Sequence, residues 1–251
     1  IYGSARERLY RIHSGMAGLG LADHLIPSRD GAEIYHFDPD GRHLATLDAH
    51  TGAPRLLLSR DASGRLVSLT DAGGNVTRLE RAADGTPERF VAPHGQTTEL
   101  TLDADGQLTA VAGPEAQSWS MTYHPGTLIA TLTDPRGQTS HVTFDPAGLL
   151  VRDEDPAGGY HELATSLDLG GRTVTRTTAG GLTTTYRTEW LPDGSRRLVN
   201  TFPDGTRATS VTTLNNSTTT THADGTVVTQ ALRPDPVWGM LTPHAVTQTV
   251  L

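Results

Sequence analysis

Apolar and polar residues along this chain alternate in short runs, and glycine breaks the runs at regular intervals. The stretch 36–47, HFDPDGRHLATL, shows the form: an apolar word, Asp-Pro-Asp-Gly, a basic residue, then apolar residues at every second or third position. RDASGRLVSL, LDADGQLTAV, FDPAGLLVRD and FPDGTRATSV repeat it. Glycines stand at Gly41, Gly52, Gly64, Gly74, Gly85, Gly95 and Gly106, with gaps of 10 to 12 residues. The rhythm loosens around Gly113 to Gly126, resumes at Gly137, Gly148 and Gly158, and blurs between Gly170 and Gly181. It returns at Gly194, Gly205, the pair Asn215-Asn216 and Gly225. A period of ten or eleven residues is an internal repeat, and its length suits one short strand plus one turn.

The residue types in each break explain the turn. In Asp145-Pro146-Ala147-Gly148 the aspartate accepts hydrogen bonds from the turn backbone and proline presets φ near −65°. Gly148 supplies the position that needs positive φ. Asp134-Pro135-Arg136-Gly137 and Asp155-Pro156-Ala157-Gly158 follow the same grammar. Between turns, words such as TRATSVTTL (206–214), STTTTHA (217–223) and TVVTQAL (226–232) are β-prone and poor helix formers. The one helix candidate is the glycine-broken stretch before Asp23. The prediction is all-β: repeated antiparallel β-hairpins forming a curved, spirally wound sheet. One side is modestly buried and the other lies near water, and the last strands carry threonine on both faces. Such a sheet leaves open edges unless further repeats continue it.

Composition narrows this picture. Aromatics are only 5% of the 251 residues, so any core is thin or built from aliphatic and threonine methyl groups. A net charge of −8 argues against a nucleic-acid partner. All 20 basic residues are arginine. The absence of cysteine removes disulfides and thiolate chemistry. No apolar run is long enough to span a membrane as a helix, so direct membrane insertion is not expected. The sequence starts at Ile1 and stops at Leu251 in a strand-like word, which leads us to expect a section of a longer polypeptide.

One repeat carries a resemblance. Gly31…Tyr35-His36-Phe37-Asp38-Pro39-Asp40-Gly41-Arg42-His43-Leu44…Gly52 resembles the tyrosine–aspartate (YD) repeat of Rhs proteins and teneurins. That pattern runs glycine, Tyr-x-Tyr-Asp, two residues, Gly-Arg-x-Leu or the shorter Gly-Arg-Leu, and a later glycine. Phe37 replaces the second tyrosine, and His43 intrudes before Leu44. Degenerate copies are Arg60-Asp61…Gly64-Arg65-Leu66, Leu102-Asp103…Gly106-Gln107-Leu108 and Phe144-Asp145…Gly148-Leu149. The resemblance implies a section of a YD-repeat barrel or shell. It also implies an entry segment over 1–27 that ends a preceding domain, a β-propeller in such proteins, and a YD sheet over 28–251. In that family the shell holds a C-terminal toxic cargo in bacterial relatives and belongs to a cell-surface adhesion receptor in teneurins. The resemblance therefore predicts a non-enzymatic wall segment, secreted or at the cell surface. Its partner is the rest of its own chain. The alternative is an adhesion module that binds a cell-surface protein or glycan.

Motifs for chemistry are few. Asp145-Pro146-Ala147-Gly148-Leu149 matches the second half of the self-cleavage motif of Rhs shells, but Ser140 stands where its leading proline belongs. Asp38-x-Asp40-Gly41 and Asp103-x-Asp105-Gly106 start like calcium loops without the later ligands. Asp153-Glu154-Asp155 reads as a solvated turn. His36, His43 and His50 recur every seven residues across a turn, so they share no face. Gly15-x-x-Gly18-x-Gly20 is not the dinucleotide order. Trp119, Trp190 and Trp238 are assigned to sheet packing rather than to a sugar surface. A hydrolase with two dispersed carboxylates is a third reading, with no residue pair to mark it. No catalytic, cofactor-binding or metal residue is therefore assigned. The residues expected to matter are those of the repeat and its turns: Tyr35, Phe37, Asp38, Gly41, Arg42, Gly64, Arg65, Gly106, Asp145, Gly148, Gly194 and Gly205.

Overall fold

The computed structural model describes residues 2–5, 8–11, 23–115, 117–126 and 128–251, and every regular element among them is a β-strand. The helix candidate before Asp23 and the Gly15, Gly18 and Gly20 motif lie outside the described residues. Strands β1 (Tyr2–Ala5) and β2 (Arg8–Arg11) pair with each other, antiparallel.

The chain divides into two compact units. One holds β3 (His24–Pro27), β4 (Glu33–Phe37), β5 (His43–Asp48), β6 (Pro54–Arg60), β7 (Leu66–Asp71) and β8 (Val76–Arg81), each antiparallel to the next. In that unit Thr242 donates its hydroxyl to the Ser28 carbonyl at 3.4 Å. Next in sequence is β9 (Pro87–Val91). The other unit begins with β10 (Thr97–Leu102), β11 (Leu108–Ala112), β12 (Ser118–Tyr123), β13 (Ile129–Thr133), β14 (Thr139–Phe144) and β15 (Leu150–Glu154). It continues through β16 (Tyr160–Asp168), β17 (Gly171–Thr178), β18 (Thr183–Trp190), β19 (Arg196–Thr201), β20 (Arg207–Thr212), β21 (Ser217–Thr221) and the start of β22 (Val227–Asp235). These too pair in chain order and antiparallel. The last strand is β23 (Gly239–Val250). The fold class expected from the sequence, repeated antiparallel hairpins in an all-β chain, is the one observed.

The turns have a common geometry. In the β4–β5 hairpin the Gly41 N–H donates to the Asp38 carbonyl at 3.0 Å, and the Asp38 N–H donates to the Arg42 carbonyl at 2.9 Å. Gly41 closes the turn at φ 79°. At the Asn215-Asn216 turn, Asn216 takes the glycine's place at φ 61°, a conformation that asparagine tolerates better than other side chains.

Pairing also shows what repeats. His36 pairs with Ala45 but Phe37 pairs with His43, so Leu44 is an extra residue in the ladder. Val67, Thr109, Ala130 and Val151 are the extra residues of the β6–β7, β10–β11, β12–β13 and β14–β15 hairpins. Such bulges increase local twist and bend the strand. In chain order every second turn from β4 to β15 starts at Asp38, Asp61, Ala82, Asp103, His124 and Asp145, at spacings of 23 and then 21 residues. Over these strands the structural repeat is the hairpin, twice the glycine period, and the β5–β6 pair carries a further bulge at Arg55.

The sheet packs little against anything else. Pro27 and Ala45 are the buried apolar residues among the described ones, and Thr46, Thr184 and Ser195 are the buried polar ones. Cross-strand partners share a face. One face of β10–β14 accordingly carries Leu100, Val111, Trp119, Met121, Leu132 and Val142. The other carries Ala110, Ser120, Thr131, Thr133 and Thr139, where hydroxyl pairs form at 2.6 Å (Thr122–Thr131) and 2.9 Å (Thr133–Thr139). In β20–β22 hydroxyl pairs occur on both faces, Thr212–Thr218 on one and Thr219–Thr229 on the other.

No atom lies within 4 Å of the place a Cβ would take on Gly41, so substitution there is opposed by the backbone angle alone. Gly41→Ala should lower unfolding free energy by about 1–2 kcal/mol. Gly41→Asn should lower it by less, as the backbone at Asn216 implies. Urea denaturation of the two variants checks the order.

Candidate functional site

The turn aspartates form the most regular side-chain arrangement in the molecule. Asp61 places one carboxylate oxygen 2.9 Å from the N–H groups of both Ser63 and Arg65. Asp71 does the same for Gly73 and Asn75, and Asp103 for Asp105 and Gln107. Asp134, Asp145 and Asp155 repeat it at 2.8–3.0 Å. Asp38 accepts from Arg42 N–H at 2.8 Å. The carboxylate thus ties the second and fourth residues after it into the bend, satisfying N–H groups that a turn leaves free.

A second arrangement serves turns that open on a residue other than aspartate. There the aspartate sits directly before the glycine: Asp84, Asp193 and Asp204 accept from the N–H of Thr86, Ser195 and Thr206 at 2.8–2.9 Å, and Asp224 from Thr226. Gly194 and Gly205 belong to these turns, with φ 83° and 82°. Sequence reasoning assigned the glycines and missed these aspartates. The order x-x-Asp-Gly, in place of Asp-x-x-Gly, was the available signal.

Hydrogen bonding holds several of these carboxyls below the usual range. For Asp61 the main cause is the Arg65 N–H, and for Asp71 the Asn75 side chain. For Asp84, Asp193 and Asp224 it is the backbone N–H two residues on, and for Asp204 the Thr206 hydroxyl. Asp168 is pulled down to about 2, chiefly by Arg187. Asp48 is lowered too, chiefly by Arg55.

Neighbouring turns on one edge also touch. Arg42 bonds Asp40 at 2.7 Å, and its guanidinium lies where a Cβ on Gly64 would approach to 3.3 Å. Arg65 stays with its own turn, Nε to Asp61 at 2.9 Å. Leu128 lies beside Gly148, and Leu214 beside Gly194, in the same relation. Gly106 faces open space at φ 78°. In β4 the Tyr35 hydroxyl donates to Glu33 at 3.3 Å. His43, the residue out of place in the repeat, packs its ring 4.9 Å from Phe37 and edge-on to Tyr35 at 6.1 Å. Its Nε2 bonds the Ala45 carbonyl at 2.9 Å. It is a packing residue.

Arginine–carboxylate clamps join strands elsewhere. Arg55 reaches Asp48 at 2.7 Å and Glu33 at 3.1 Å, and Arg187 reaches Asp168 at 2.8 Å. Arg152 bonds Glu154 and Glu162 and lies 3.7 Å over the Tyr160 ring. It lines an open groove of about 410 Å³ with Thr143, Glu162 and Thr175. The two carboxylates already neutralise that cation, so the groove offers an anion little. Asp145 and Gly148 form an ordinary β14–β15 turn. Among the described residues no group of three His, Asp or Glu side chains could hold a metal ion. Trp119 and Trp190 are 45% and 69% exposed, so sheet packing does not account for Trp190. The arrangement bends and laces a sheet.

Comparison with known proteins gives the family of the chain. The model of a family described as the teneurin YD-shell matches residues 22–249. No curated protein matches. Among solved structures, the TcdB2-TccC3 complex without its hypervariable C-terminal region is 12% identical, with a TM-score of 0.37, over 90% of this chain. A Photorhabdus luminescens Tc holotoxin pore is 10% identical, with a TM-score of 0.17, over 85% of this chain. The chain spans 18% of the length of each.

The lowered carboxyl pKa values set the acid limit of stability. Each such group contributes stability fully present above its unfolded value near 4, lost as pH falls through its folded value. Melting temperature should therefore hold from pH 7 to about 5 and fall steeply between about 4 and 2. Asp61→Asn, which keeps the acceptor oxygen, should melt nearer the parent than Asp61→Ala. Equal melting of the two variants at pH 7 would contradict the bridging role.

Proposed function

Because this chain belongs to the teneurin YD-shell family, we propose that it is a wall segment enclosing or supporting a cargo, such as a C-terminal toxin domain, carried by its own longer polypeptide. The family match over residues 22–249 carries the reading. The thin sheet supports it: a structure with only Pro27 and Ala45 buried among the apolar described residues is built as a partition rather than around a core. A wall of this kind acts by exclusion. It keeps proteases and early partners from what lies behind it, and a hydroxyl-rich face gives little hydrophobic adhesion to that cargo. The lead-in over 1–27 and the sheet over 28–251 are the boundaries we propose, with secretion or display at the cell surface as the setting.

The adhesion reading shares the same family. It is favoured by exposed Trp190, because aromatic side chains left in water are common anchors in binding surfaces.

Limited proteolysis of the parent polypeptide, with and without this segment, decides between them. Encapsulation predicts that the cargo is cut at least about tenfold more slowly when the wall is present. Equal cleavage rates, with binding of the segment to cells, would replace the container by the adhesion module.

A further inference from the structure

From β16 to β20 the strands pair without a single register shift. Alternate residues therefore lie on opposite faces throughout, and direct cross-strand partners share one. The two faces differ in charge. One carries Glu162, Asp168 and Glu189, and there Arg187 and Arg197 are ion-paired. The opposite face carries Arg172, Arg176 and Arg196, and none of its positions in these five strands is an aspartate or glutamate.

Those three arginines have no hydrogen-bond or ion-pair partner among the described residues, and the Nε of Arg176 is shielded from water with no acceptor. The same face leaves two large apolar side chains in solvent, Leu167 at 78% and Trp190 at 69% exposure. Leu167 is the direct partner of Arg172, and Trp190 that of Arg196. Each exposed apolar group thus stands beside an unpaired cation.

We propose that this face of β16–β20 docks an acidic polypeptide segment whose carboxylates alternate with apolar side chains. Guanidinium groups pair bidentately with carboxylates, and the neighbouring leucine and tryptophan supply apolar anchors. Arg172 and Arg176 lie four residues apart on one strand, about 13 Å, which an extended segment with acids at every fourth residue matches. The apolar half of the surface selects a polypeptide over a nucleic acid. This surface is independent of whether the wall encloses a cargo.

The probe is a fluorescently labelled peptide of Glu-Thr-Leu-Thr repeats, whose Glu and Leu side chains share one face when extended, titrated with the 251-residue chain and followed by anisotropy. Saturable binding is expected, weakened by salt and absent for the Gln-Thr-Leu-Thr version. Combining Arg172→Gln, Arg176→Gln and Arg196→Gln should weaken it by at least about tenfold. Trp190→Ala should weaken it while preserving its salt dependence. Arg207→Gln, on the opposite face, should leave it unchanged. Circular dichroism establishes that each variant is folded, and Arg196→Gln alone serves if the triple variant is not. Absence of binding overturns the proposal. So does equal weakening by Arg207→Gln, or competition by an oligothymidine as effective as the unlabelled peptide.

Discussion

A carboxylate oxygen shared between two backbone N–H groups is the contact on which this molecule depends. A sheet with almost no core cannot hold its hairpins by burying their tips, so each reversal must be stabilised where it occurs. Asp61, with Ser63 and Arg65 both at 2.9 Å, does this with three groups and no distant help. Where the opening residue has no acceptor, as at Leu191 and Phe202, the aspartate moves two places along and caps the far side of the bend. Two solutions to one local problem account for nearly every conspicuous Asp-Gly word in the sequence.

With the reversals secured locally, the strands are free to be thin. Their side chains pack sideways, against neighbours in the same sheet: apolar groups along one face, paired threonine hydroxyls along the other. Arginine clamps such as Arg152 between Glu154 and Glu162 add cross-strand links at the surface, each individually weak in water. Stability is distributed along the chain, as in other repeat architectures, where each unit interacts mainly with its neighbours. That distribution suits a partition, whose job is to be continuous.

Much of this was legible in the sequence because turn chemistry is local. Gly41 and Gly148 announce positive φ, and Asp38 and Asp145 announce their hydrogen bonds, without reference to the rest of the fold. The hairpin-length repeat was not legible, because glycines mark the turns of both edges alike. The bulges fall on Leu44, Arg55, Val67, Thr109, Ala130 and Val151, with no common residue type. The loosened rhythm near Gly113 proved superficial: glycine moves to the first position of that turn, while the hydrogen bond from Gly113 N–H to the Gln117 carbonyl is kept. The face carrying Arg172, Arg176 and Arg196 needed the strand register, which no single-strand pattern provides. The same is true of His43, whose ring fills a place between Tyr35 and Phe37 that the repeat alone does not define.

The paired-strand period constrains how such a chain can change length. Removing one strand and one turn reverses the direction of every strand that follows, so all later turns would exchange edges. Removing a whole hairpin of about 21 residues leaves strand direction intact. Gains and losses in this architecture should therefore come in even numbers of strands, a parity rule written into the molecule by the antiparallel order of its neighbours.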